Sequence, residues 1–117
     1  MDCVVAALAA LIERPYEQVV AVAGRAVPNF WKSGIDNKDM PRIAKRLGVK
    51  VKWVTVYDID EDTGVLSLTY HIGTKGHVVL LLEGRIVELE DRPITSWEPA
   101  AYMQAHGARP GHLLVRT

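Results

Sequence analysis

A single cysteine stands among 117 residues, so the chain can close no disulfide on itself, and a disulfide-stapled fold is excluded. That usage suits a reducing compartment, and the expected location is cytoplasmic. Excess charge of either sign is also missing. Fourteen Lys and Arg offset fourteen Asp and Glu, the basic residues are scattered, and no electrostatic footprint for nucleic acid is present. No apolar run approaches the ~20 residues needed to cross a bilayer, so membrane insertion is not expected. Repeats and low-complexity segments are absent too. With 49% hydrophobic and 24% charged residues, what remains reads as one globular domain over residues 1–117 with a single core.

The first apolar run, Cys3 to Ile12, has the length of a signal-peptide core, and Ala21-Val22-Ala23 resembles a cleavage site. Asp2 stands where a signal needs a basic residue, however, and Glu13, Arg14 and Glu17 interrupt the approach to the cleavage site. The run is therefore read as a buried helix capped by Asp2 and starting almost at the thiol. Pro15 fits the first turn of a second helix, Tyr16 to Ala23, with Gly24 as its C-cap. Residues 25–35 carry Pro28, Asn29, Ser33 and Gly34 and read as a loop. Asp36, Asn37 or Asp39 is suited to cap a third helix, with Pro41 in its first turn and a stop at Gly48.

The second half changes period. Val49, Val51, Trp53 and Val56 alternate loosely with polar residues, which predicts a half-buried strand over 49–57. After an acidic turn, Val65 to Tyr70 predicts a second strand. His77 to Leu82 is an unbroken apolar run suited to a central strand, and Glu83-Gly84 turns the chain into Arg85 to Glu90. Pro99 to His106 reads as a helix stopped by Gly107, and His112 to Arg116 as a closing strand. Helices followed by an antiparallel sheet define an α+β class.

Several motifs dissolve on inspection. Asp58, Asp60 and Asp62 resemble a calcium loop, but the glycine falls one place late and Thr69 stands where a bidentate Glu belongs. Gly73-Thr74-Lys75-Gly76 lacks the spacing of a phosphate loop. One cysteine and four histidines, none at structural-zinc pair spacing, give no reason to expect a metal.

Cys3 differs because of its position. In the first turn of an apolar helix its sulfur meets backbone N–H groups and the positive end of the helix dipole, both of which favour thiolate. The bland alternative is a small buried residue filling space beside alanines. A matching base decides between the two, and His77, opening the most hydrophobic strand behind Gly76, is the candidate. Hairpin arithmetic then narrows its carboxylate partner. A two-residue loop sets Leu82 opposite Arg85, so that paired numbers sum to 167, His77 lies opposite Glu90 and Glu88 shares its face. A three-residue loop moves the sum to 168 and brings Asp91 opposite.

These pieces resemble the small papain-like cysteine peptidases. The segments that carry the likeness are Asp2-Cys3-Val4-Val5-Ala6-Ala7-Leu8-Ala9, Arg14-Pro15-Tyr16-Glu17-Gln18-Val19, Ile43-Ala44-Lys45-Arg46-Leu47-Gly48-Val49 and Gly76-His77-Val78-Val79-Leu80-Leu81. The branch they look most similar to is that of bacteriocin-processing (double-glycine leader) peptidase domains and their bacterial and phage relatives. The resemblance implies helices carrying the cysteine packed on an antiparallel sheet carrying the histidine. It also implies hydrolysis of a peptide or protein substrate by Cys3 as nucleophile and His77 as base, without a cofactor. For the third member many relatives read Ile-Val-Asp-Pro, whereas this chain reads Ile86-Val87-Glu88-Leu89-Glu90-Asp91-Arg92-Pro93. Ungapped spacing selects Glu88; residue type and nearness to proline select Asp91, the slightly preferred match.

A second departure concerns the oxyanion. The family places a glutamine several residues before the cysteine, while Gln18 and Gln104 both follow Cys3. Either that glutamine lies upstream of Met1, or the domain is catalytically weak and acts as a peptide-binding module, since one oxyanion donor is worth ~10²–10³ in turnover. Trp97 is expected to pack on the sheet, with a possible place in a substrate groove. Phe30 and Trp31, on the predicted loop, are expected on an exposed binding surface.

Overall fold

The computed structural model describes residues 3–70, 76–90 and 93–117. The Asp2 cap falls outside these. Four helices come first: α1 (Cys3–Ile12), α2 (Tyr16–Ala26), α3 (Phe30–Ser33) and α4 (Asp39–Arg46). Strands β1 (Val51–Val54), β2 (Gly64–Tyr70), β3 (His77–Leu82), β4 (Arg85–Glu88) and β5 (Thr95–Trp97) follow, then α5 (Pro99–His106) and β6 (Ala108–Arg116). The six strands form one sheet in the order β1-β6-β2-β3-β4-β5, with antiparallel neighbours throughout. The α+β class with helices packed on an antiparallel sheet is thus observed. Among the described residues, no helix is long and apolar enough to cross a membrane.

Strand alternation sends successive side chains to opposite faces, and two apolar clusters result. On the helix side, Val5, Leu8 and Ile12 of α1 meet Val19, Met40 and Ile43 of α2 and α4, over Val65, Val78 and Leu114 of the sheet. On the far side, Leu66, Leu68, Val79, Leu81, Ile86 and Leu113 pack with Tyr102 of α5. The apolar run that mimics a signal peptide is a helix sealed into the first cluster. The acidic segment 58–62 turns its carboxylates back on its own backbone: Asp62 Oδ2 accepts the Asp58 N–H at 2.7 Å and Asp58 Oδ1 accepts that of Asp60 at 2.9 Å.

Several local features depart from the sequence reading, among them β1, which covers only Val51–Val54 of the expected 49–57, and β4, which ends at Glu88 instead of Glu90. The second helix runs through Gly24 to Ala26, because a glycine with no need for positive φ is tolerated inside a helix. Residues 30–33 are helical, and Phe30 is 1% exposed in the helix-side cluster instead of on a binding surface, while Trp31 beside it is 67% exposed. Strand β5 is additional. Strand β6 begins at Ala108 and carries Pro110 opposite Leu68 of β2, ahead of the β1 pairing that starts at Leu113, so that stretch of β6 is an edge where proline is tolerated. The β2–β6 register shifts between Leu66 and Leu68, and at this irregularity the Ser67 hydroxyl accepts the His112 N–H at 2.8 Å and donates to the His112 carbonyl at 3.1 Å.

The β3–β4 turn sets the register that matters for the site. Glu83 and Gly84 both have positive φ, 48° and 79°, the signature of a two-residue type I′ hairpin loop. The Glu83 N–H is held by Thr63 Oγ1 at 2.8 Å and the Gly84 N–H by the Asp62 carbonyl at 3.1 Å. A Cβ at Gly84 would collide with the Asp60 backbone, so glycine is required there for space as well as for conformation. Leu82 pairs with Arg85, Leu81 with Ile86 and Leu80 with Val87, and the paired numbers sum to 167.

Candidate active site

Cys3 opens α1, whose first turn carries no acidic residue to offset the helix dipole. Its position follows from packing. Val5, Leu8 and Ile12 pin the helix axis onto the sheet, and the thiol at its start is left at the sheet's end, half-buried. His77 opens β3 there. By alternation His77 shares a face with Val79 and Leu81, so its ring belongs to the far side while the thiol arrives from the helix side. The two meet with Cys3 Sγ 3.6 Å from His77 Nδ1, within hydrogen-bonding reach for sulfur.

The other ring nitrogen meets Glu88. His77 Nε2 lies 3.3 Å from Glu88 Oε2, and the two side chains are 19% and 12% exposed. An ionised carboxylate only accepts, so this contact suits the tautomer with the proton on Nε2, which turns the Nδ1 lone pair toward the thiol. The 167 register underlies this contact, since it puts Glu88 on the face of His77. Asp91, the residue preferred by family type, lies outside the described residues.

The same carboxylate oxygen accepts a second donor. Tyr102, on α5, donates its hydroxyl proton to Glu88 Oε2 at 2.9 Å, and the nearby Tyr70 hydroxyl acts electrostatically on that of Tyr102. Burial, then the hydrogen bond to Glu88, pushes the Tyr102 hydroxyl well above the ordinary tyrosine value. Burial does the same, less strongly, at Tyr70, whose ring centroid is 6.4 Å from that of His77. Sequence reasoning passed over both tyrosines. The available signal was the i, i+3, i+7 spacing of Pro99, Tyr102 and His106, which marks one face of α5.

Trp97 is half-buried at the edge of this group. Its ring meets Tyr102 edge-on at 5.7 Å and His106 at 5.3 Å, and its Nε1–H donates to Thr95 Oγ1 at 3.0 Å. Trp97 therefore packs the far side. Gln18 and Gln104 are exposed on α2 and α5. His77, Glu88 and Glu90 place donor atoms within 4.8 Å of one another, a set able to offer three ligands to a metal. Pair-spacing rules look along the chain and miss it, because the set is assembled across a hairpin.

The arrangement is a thiol, an imidazole and a carboxylate in series, at the positive end of a helix. Such a series can generate a thiolate, deliver it to an electrophile and return a proton to a leaving group. Comparison of the chain with protein-family models, with curated proteins and with solved structures gave no match.

Proposed function

We propose that this chain is a papain-like thiol hydrolase that cleaves a peptide or other amide bond, with Cys3 as nucleophile, His77 as general base and acid, and Glu88 as the carboxylate that orients the imidazole. The observation that carries the reading is the unbroken series from Cys3 Sγ through the two nitrogens of His77 to Glu88 Oε2, at 3.6 and 3.3 Å. A domain that only binds peptides, or one in which Cys3 only fills space, has no physical need for that series.

The reaction follows from the tautomer. Nδ1 takes the thiol proton, and the thiolate adds to the substrate carbonyl, forming a C–S bond and a tetrahedral oxyanion near the positive end of α1. Collapse breaks the C–N bond while Nδ1–H gives its proton to the departing amine. Water then attacks the thioester, Nδ1 accepts its proton, and loss of the C–S bond frees the acid and restores the thiol. Throughout, Glu88 holds Nε2–H and stabilises the imidazolium without itself being protonated.

The test is the rate of Cys3 alkylation by iodoacetamide from pH 4 to 10, with circular dichroism confirming that each protein is folded. The expected wild-type rate reaches a plateau well below the free-thiol value of ~8.5, and His77→Ala abolishes that acidic limb. A wild-type rate that climbs only near 8.5, or one indifferent to His77, overturns the reading.

A further inference from the structure

We propose that Tyr102 is the positioning residue that commits Glu88 to His77; the proposal rests on the Cys3–His77–Glu88 reading and concerns how that series is held. A glutamate is one methylene longer than an aspartate and has an additional side-chain torsion. At the end of a four-residue strand, one hydrogen bond to an imidazole is a weak hold on such a side chain. A second carboxylate also competes for the same ring, since the oxygens of Glu88 and Glu90 both lie within 4.8 Å of the other donors in the cluster. Something has to select between them.

Tyr102 supplies the selection. It is 1% exposed and belongs to α5, an element separate from the hairpin that carries His77 and Glu88. Its ring is fixed on two sides, edge-on by Trp97 at 5.7 Å and stacked on His106 at 4.0 Å with 21° between the planes. The His106 Nδ1–H also donates to the Tyr102 carbonyl at 2.9 Å. The hydroxyl is thus a fixed point, and a buried hydroxyl needs a partner. Its single proton goes to Glu88 Oε2 at 2.9 Å. The series Tyr102 to Glu88 to His77 ties α5, β4 and β3 to one carboxylate oxygen. Burial keeps the Tyr102 proton in place well above neutral pH, so the donor is present wherever the thiolate is.

The experiment compares wild type with Tyr102→Phe, which keeps the ring and removes only the hydroxyl. Two readouts are taken: the ¹⁵N shifts of the His77 ring, identified by their absence in His77→Ala, and the pH profile of Cys3 alkylation. In wild type the neutral ring is expected almost wholly as the Nε2–H tautomer. In Tyr102→Phe a mixture of tautomers is expected, the acidic limb moves toward 8.5, and the rate at pH 6 falls roughly tenfold, the worth of one hydrogen bond to a charged group. Trp97→Leu, which removes the edge-on wall of the Tyr102 ring, is expected to move both readouts the same way by less, and it serves if Tyr102→Phe does not fold. A lower melting temperature with unchanged tautomer and unchanged limb, in either variant, overturns the proposal. Because the tautomer is read without any reaction at Cys3, a wild-type thiol that lacks an acidic limb would count against the hydrolase reading and leave the positioning result intact.

Discussion

The two sides of the sheet are built from different materials. The helix side is aliphatic: its buried residues are Val, Leu, Ile, Ala and Met with one Phe, contributed by α1, α2, α3, α4 and the sheet. The far side mixes aliphatic strand residues with Tyr102, and Trp97, Met103 and Tyr57 pack against it. Directionless apolar contact suits the first, whose task is to pin a helix so that its first residue stands at the sheet's end. Hydrogen bonds suit the second, because a carboxylate and an imidazole have to be aimed as well as enclosed. The candidate site is where the two meet, with the thiol supplied by the aliphatic side and everything that acts on it supplied by the polar one.

The division is open to direct attack, and the largest effect is expected on the aliphatic side. Leu8 is fully buried in α1 between the sheet and the other helices. Leu8→Ala is expected to lower unfolding free energy by roughly 3–4 kcal/mol, from lost transfer energy and the cavity left behind, as read by urea denaturation. The pH profile of Cys3 alkylation in the folded protein is expected to keep its shape, since no donor to the imidazole or carboxylate has changed. Tyr102→Phe should do the reverse. A Leu8→Ala profile displaced as far as that of Tyr102→Phe would show that the two sides are not separate in function.

A smaller effect distinguishes the far side by pH. The hydroxyls of Tyr57, Tyr70 and Tyr102 are all pushed up, in each case chiefly by burial. An acid whose folded value lies above its unfolded value of ~10 holds more protons folded than unfolded between the two, so stability falls as pH rises through that window. Their contribution is complete below pH 10 and declines above it. Urea midpoints from pH 9 to 11.5 are expected to drop, and Tyr102→Phe is expected to flatten the drop by removing the most strongly displaced of the three. An undiminished slope in that variant would assign alkaline loss to other groups.

How much of this was legible in the sequence depends on whether a feature is local. The start of α1 at Cys3, the strand from His77 to Leu82 and the helix from Pro99 to His106 each follow from a nearby pattern, and the structure has all three. The α+β class follows from their order. The missed features depend on distant partners. Pro110 argues against a central strand until β1 is seen to pair with β6 only from Leu113 onward, which leaves Pro110 on an edge stretch opposite Leu68. Phe30 looks exposed in a segment punctuated by Pro28, Asn29 and Gly34, yet a four-residue helix turns it into the core. The carboxylate partner of His77 turned on one loop residue, and only the positive φ of Glu83 selects the register that gives Glu88. Tyr102 lies 14 residues from Glu88 on another element, a separation at which no local pattern operates.

The smallest effect, expected at Trp31, is set against one as large as that of Leu8→Ala in the residue beside it. Phe30 and Trp31 are neighbours with ring centroids 4.1 Å apart, yet one is 1% and the other 67% exposed. If the helix side works by burial, the two rings must differ greatly in worth despite their contact. Phe30→Ala removes a buried aromatic and is expected to cost roughly 3–5 kcal/mol. Trp31→Ala loses one tilted ring contact and little buried area, so under ~1 kcal/mol is expected. Equal losses by urea denaturation would mean that Trp31 covers the cluster and that burial alone misjudges α3. A stability loss confined to Phe30, accompanied by slower alkylation of Cys3 by a bulky peptide-like reagent but not by iodoacetamide in Trp31→Ala, would place the exposed indole on the path a substrate takes to the thiol. Without that selectivity, Trp31 is surface.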